Sequence, residues 1–266
     1  MAVLAALVIA YGCGSCLPGH HTGIASIRAD GTHRHALLAA RPRWLLWQPT
    51  WSRDGRRFAY IAEPPRGHRR LMIGRRTLVR NAFYPTWSPD GKRIAFVRDD
   101  DTVWVVRADG SGVHRVVGRE HGAVFSPLAW SPDSRRLAFV ADDVLYVVRE
   151  NGTGLLRVSR WRAANPAWSR DGRSIYYLAG GDNPYVAAVP RRHDLATGRD
   201  HLYLARPHPD YVEAAWSPDR RLLAYTIDIP KGGETYHDLW VLRLADGRRI
   251  HVTQVPGGGF GLSWRT

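Results

Sequence analysis

The chain has 266 residues, 44 % hydrophobic and 11 % aromatic, enough for a large core and of ordinary size for one all-β domain. Its formal charge is +14, from 38 Lys and Arg against 24 Asp and Glu, and only Lys92 and Lys231 are lysines. The basic residues are scattered, with no block long enough for a nucleic-acid arm. A solvated basic surface is therefore expected, one that still draws the protein toward anionic membranes or acidic polymers.

The chain opens on an apolar run at 2–10 followed by Gly-Cys-Gly-Ser-Cys. Two readings stand side by side. Residues 1–16 have the small-residue end of a secretory or lipoprotein signal, without its positive n-region. The run is too short to span a bilayer. Alternatively, Ile9-Ala10-Tyr11 matches Ile94-Ala95-Phe96 and Leu223-Ala224-Tyr225, and is a strand of a repeat. Cys13 and Cys16 stand in no βαβ pattern, which a redox C-x-x-C motif requires. Two ligands do not make a zinc site. A loop or a lipid-attachment region is the expectation for the pair.

Residues 24–38 form two apolar runs around Asp30-Gly31, a strong hairpin signal. The same element recurs at 103–117, 144–158 and 239–252, worn at 71–79 and extended at 185–204. Between these copies lies a second repeated element. Trp51, Trp87, Trp130, Trp168 and Trp216 each open Trp-Ser-(Pro/Arg)-Asp, and an apolar residue follows seven positions after each Trp: Phe58, Ile94, Leu137, Ile175 and Leu223. Trp264 begins a sixth copy. The period of 36 to 48 residues is that of a propeller or array. Pro, Asp and Gly are turn residues, so each copy reads strand, tight turn, strand. Asp54, Asp90, Asp133, Asp171 and Asp219 are present throughout, whereas the Gly gives way to Ser134 and Arg220. The carboxylate is thus expected to matter more than a positive φ, as a structural cap rather than a metal ligand.

Each unit therefore holds four strands: a ends at the Trp, b follows the first turn, and c and d flank the second. Runs such as Ile94-Ala95-Phe96-Val97 do not alternate apolar with polar, so both faces of each sheet are expected to be covered. Face-to-face four-stranded antiparallel sheets make a six-bladed β-propeller with almost no helix. In this reading the Trp side chains wedge between blades. The last copy supplies only strand a, so strand b at Ile9-Ala10-Tyr11 would close the sixth blade and remove an open edge.

The Trp-Ser-Pro-Asp-Gly repeat with its Asp-Gly hairpin resembles the WD-like propeller repeat of the TolB family, over about residues 24–264. It is similar to the propellers of tricorn protease and of prolyl oligopeptidase-type enzymes. The separate N-terminal α/β domain of TolB has no counterpart, so a propeller other than TolB proper is expected. The resemblance implies protein partners and the periplasm or cell envelope, with lipid anchoring as a variant.

The a–b and c–d turns are short and uniform, whereas the connections 62–70, 118–127, 160–165, 179–184, 205–213 and 228–238 vary. Variable loops on a rigid scaffold carry binding. They hold Trp161, Asn165, His208, Asp210, Tyr211, Tyr236 and His237. Gln48, Tyr84, Asn165 and Glu213, three positions before their Trp, are expected along the innermost strand. No G-x-S-x-G, H-E-x-x-H or G-x-x-x-x-G-K-[ST] occurs, and no hydrolase domain is expected after Trp264. The histidines group only at His20-His21, His33/His35 and His193/His201/His208. The resulting reading is a monomeric, non-catalytic protein-binding propeller without cofactor or metal. The alternative is a metal-assisted polysaccharide lyase or hydrolase with its site in the central funnel, and nucleic-acid binding ranks last.

Overall fold

The computed structural model describes residues 8–17, 21–124, 126–159, 162–180, 189–202, 213–231, 234–256 and 261–265. They form six four-stranded antiparallel sheets, the expected all-β six-bladed propeller. One 3-10 turn, Arg119–His121, is the only helical element among the described residues. Strands a to d of blade 1 are Leu45–Trp51, Phe58–Glu63, Arg70–Ile73 and Arg76–Arg80. Blade 2 has Ala82–Trp87, Arg93–Arg98, Val103–Arg107 and His114–Val117, and blade 3 has Ala129–Trp130, Arg136–Ala141, Val144–Arg149 and Leu156–Arg157. Blade 4 has Arg162–Trp168, Ser174–Gly180, Val189–Asp194 and Asp200–Leu202. Blade 5 has Glu213–Trp216, Leu222–Lys231, Glu234–Arg243 and Arg249–Pro256. Blade 6 takes strand a from Leu262–Arg265 and b to d from Val8–Leu17, His21–Arg28 and His35–Ala39.

The seven-residue spacing is a cross-strand pair. Trp51 faces Phe58, Trp87 faces Ile94, Trp130 faces Leu137, Trp168 faces Ile175 and Trp216 faces Leu223. Blade 6 repeats the pair across the two ends of the chain, with Trp264 opposite Ile9 and Ser263 opposite Ala10. Ile9 and Ala10 are fully buried. The closing-strand reading of Ile9-Ala10-Tyr11 thus agrees with the pairing, and residues 1–7 lie outside the described ones.

The chain divides into two compact units, one of 1–81 with 211–266 and the other of 82–210. The second holds blades 2, 3 and 4. Strand b of blade 3 buries both faces: Leu137 and Phe139 pack with Val97 and Val105 of blade 2, while Ala138 and Val140 pack with Trp168, Ile175 and Tyr177 of blade 4. This is why these strands do not alternate in sequence. In the first unit, Ile9, Tyr11 and Ile27 of blade 6 pack with Ala224, Leu239 and Val241 of blade 5. Ile24, on the other face, packs with Leu46, Tyr60 and Met72 of blade 1.

Trp130, Trp168 and Trp264 do lie between blades. The indole N–H of Trp130 donates to the Thr86 carbonyl at 3.1 Å, Trp168 to Ala129 at 3.1 Å and Trp264 to Ala215 at 2.8 Å. Each acceptor belongs to the preceding blade, one residue before its own Trp. Arginines cover the indoles from outside: Arg93 lies 5.3 Å over Trp130, Arg136 4.6 Å over Trp168 and Arg265 4.9 Å over Trp51. The solvated-surface reading of the arginines therefore needs correction, because these three are blade-to-blade cation–π contacts.

The turn after each Trp is organised around its serine. Ser88, Ser131 and Ser217 are fully buried. The hydroxyl of Ser88 donates to Asp90 at 2.5 Å and accepts the Arg93 backbone N–H at 2.9 Å. The same two bonds recur at Ser52, Ser131, Ser169 and Ser217. Each Asp also accepts the N–H two residues on, as Asp54 does from Arg56 at 3.1 Å and Asp133 from Arg135 at 3.1 Å. These carboxylates cap the turns, as the sequence led one to expect. The ranking of carboxylate over positive φ is also corrected. Ser134 has φ 59 and Arg220 φ 60, beside Gly55 at 63, Gly91 at 68 and Gly172 at 68. The left-handed residue is kept in all five turns and only the glycine is dispensable.

Candidate functional site

The innermost strand carries a recurring irregularity. Three residues before the Trp, its pairing with strand b slips, between Trp47 and Thr50, Phe83 and Thr86, and Ala164 and Ala167. The residues in the slip are Gln48, Tyr84 and Asn165, with φ 47, 46 and 50. Left-handed backbone costs a non-glycine residue roughly 1–2 kcal/mol. A bulge of this kind re-aims a side chain. Blade 3 has Pro127 at this position, which cannot take positive φ, and shows no bulge.

In the first unit three such positions from adjacent blades meet. Gly261, the blade 6 position, has φ 84, and a Cβ there would collide with the Gln48 backbone. Its N–H donates to the carboxylate of Glu213, the blade 5 position. Burial pushes the Glu213 carboxyl up to about 7, against the lowering effect of that N–H. Thr226, opposite Glu213 across the strand pair, is buried with its hydroxyl unpartnered. The sequence signal for Gly261, a glycine where other copies carry a larger residue, is visible only once the bulge is known. In the second unit, the Asn165 N–H donates to Ser126 Oγ of blade 3 at 3.1 Å. Tyr84 packs beside Phe83, with ring centroids 6.4 Å apart.

The expected loop residues fare differently. Asn165 belongs to strand a of blade 4, not to a loop. Stretch 228–238 is likewise no loop: strands b and c of blade 5 run on to Lys231 and back from Glu234. His237 is a buried residue of strand c, and Tyr236 lies beside it in the same strand, opposite Ile229. Trp161, His208, Asp210 and Tyr211 lie outside the described residues. Of the histidine group 193/201/208, His193 is buried with Nδ1 3.1 Å from Asp200, and His201 is exposed. Asp200 also accepts the Tyr177 hydroxyl at 2.9 Å, and burial together with that carboxylate pushes the phenol up. The trio spans strands b, c and d of blade 4, and Tyr177 is also part of the blade 3–4 core. Among the described residues no group of three or more His, Cys, Asp and Glu is placed to hold a metal.

The backbone compares most usefully with solved propellers. TolB from Acinetobacter baumannii superposes with a TM-score of 0.77 at 16 % identity, over 98 % of this chain and 67 % of that one. The fold is that of a TolB-like propeller. The putative TolB from Agrobacterium tumefaciens gives 0.67 at 13 % identity, over 96 % of this chain and 91 % of that one. Hydrazine synthase from Kuenenia stuttgartiensis gives 0.55 at 15 % identity, over 79 % and 65 %. By sequence, the WD40 domain of anaphase-promoting complex subunit 4 matches residues 85–165, which span the blade 2 and blade 3 repeats of this TolB-like propeller. No curated protein matches the chain.

Proposed function

We propose that this TolB-like propeller is a non-catalytic scaffold of the cell envelope that binds a protein partner through the inner-strand bulges of its second unit, at Tyr84 and Asn165. The observation that carries the reading is the left-handed backbone at Tyr84 and Asn165, repeated at Gln48 of the first unit. Strain held at one repeat position, with a different side chain each time, is what a variable recognition site on a fixed frame needs. A purely structural bulge would favour glycine at all of them, as at Gly261. The envelope location and the protein nature of the partner rest on the likeness to TolB. The test is affinity capture from an envelope extract with wild type and with a Tyr84→Ala/Asn165→Ala variant. Wild type is expected to retain a specific protein and the variant to lose it while melting as a folded protein. Equal capture by both overturns the assignment.

A further inference from the structure

The arginines of the first unit are unevenly placed. In a four-stranded antiparallel blade the a–b and c–d turns lie at one end. In blades 1, 5 and 6 these are residues 28–34, 52–57, 74–76, 217–221 and 243–248, with eleven arginines against four aspartates. Two contacts bring the turns of separate blades together. Gly31, in the blade 6 turn, lies against the Val252 carbonyl of blade 5, so close that a Cβ would stand 2.9 Å away. Arg265, at the end of strand a of blade 6, covers Trp51 just before the blade 1 turn.

The aspartates do little to neutralise this end, because their oxygens serve the turns. Asp30 accepts the Thr32 N–H at 2.9 Å, and Asp54, Asp219 and Asp246 accept N–H groups two residues on at 3.1 Å. Asp246 also pairs with Arg243. Arg56, Arg75, Arg221 and Arg248 have exposed side chains. At the other end of the same blades Arg43, Arg66 and Arg80 are exposed, but three further guanidiniums are engaged: Arg41 and Arg70 lie over Trp44, and Arg69 lies over Trp47 and pairs with Glu63 at 3.2 Å.

We propose that the turn end of blades 1, 5 and 6 is an electrostatic docking surface for an anionic phospholipid bilayer. Arginine forks match phosphate oxygens two at a time. The five turns contain no Phe, Tyr or Trp, so they offer no large platform for stacking successive single-stranded bases and no aromatic side chain to insert among acyl chains. What remains is a set of short capped turns presenting charge to a flat anionic surface, worth about 1 kcal/mol per basic residue. The test is sedimentation with large vesicles of phosphatidylcholine alone or with added phosphatidylglycerol. The protein should partition to the anionic vesicles only, and raised salt should release it. R56E/R221E/R248E should lower the partition coefficient at least about a hundredfold, the loss of three basic residues by the same per-residue figure. R43E/R66E/R80E, with identical net charge but exposed arginines at the opposite end, should stay within a few fold of wild type. Should the first triple fail to fold, R56Q/R221Q/R248Q takes its place. Equal losses in both triples, or binding to duplex DNA through the same arginines without binding to anionic vesicles, overturns the proposal.

Discussion

At the residue scale, the serine after each Trp does more than its neighbours suggest. Ser88 is buried and holds both the Asp90 carboxylate and the Arg93 N–H, while Asp90 stands exposed. Ser88→Ala leaves a buried N–H without its acceptor and is expected to cost ~1–3 kcal/mol. Asp90→Ala should cost nearer ~1 kcal/mol, as loss of a cap does. Urea melts of the two variants, with the larger loss at Asp90, would refute this order. The serine was in plain view in five copies, yet turn rules reward Pro, Asp and Gly, and nothing in a sequence shows which hydroxyl is buried. The hydrogen bonds from Ser52 and Ser169 hold Asp54 and Asp171 below the usual carboxylate range. Their contribution is present above that range and is lost as pH falls through it. Glu213 acts in the opposite sense. Its carboxyl is raised to about 7, so the unfolded chain gives up this proton first. Stability should decline between about pH 4 and pH 7, by at most about 3 kcal/mol. Glu213→Gln should flatten that stretch of the melting-temperature profile, and an unchanged slope would count against the buried carboxyl.

At the element scale, the inner strand decides more than its length implies. Blade 3 reduces it to Ala129–Trp130, yet Trp130 still buries its ring and reaches Thr86. Trp130→Ala is expected to cost ~3–5 kcal/mol by calorimetry or denaturant melts. The closing strand is a second test. Ala10 is fully buried between strands a and c of blade 6, so Ala10→Pro removes a ladder bond from a central strand. A loss of about 3 kcal/mol or more is expected. The mature protein should still contain Ile9-Ala10-Tyr11, and N-terminal sequencing that finds a start at Cys13 would exclude the strand. Strands were legible because Trp and its partner seven positions on recur in register. The bulge was not legible, since Gln48, Tyr84 and Asn165 share no residue type, and positive φ leaves no mark outside Gly and Asn. The blade 5 hairpin was misread for a related reason: Asp228, Pro230 and Lys231 look like loop residues but continue strand b.

For the whole molecule, six sheets built on one motif give an all-β TolB-like propeller, and its first unit is assembled from both ends of the chain. The pairs Ile9–Trp264 and Tyr11–Leu262 join residues separated by nearly the entire sequence. Such contacts are slow to form, so refolding in the millisecond-to-second range or slower is expected. During synthesis the consequence is sharper. Strand b of blade 6 leaves the ribosome before every other described strand, and its partner strand after all of them. Throughout translation the nascent chain carries the exposed backbone edge of Ile9-Ala10-Tyr11, a template for wrong pairing with a neighbouring polysome product. A chain stopped before Leu262 keeps that edge permanently, and it should be recovered with chaperones or as aggregate rather than as monomer. The codons for Leu262–Arg265 thus decide whether the strand at Ile9 finds its place.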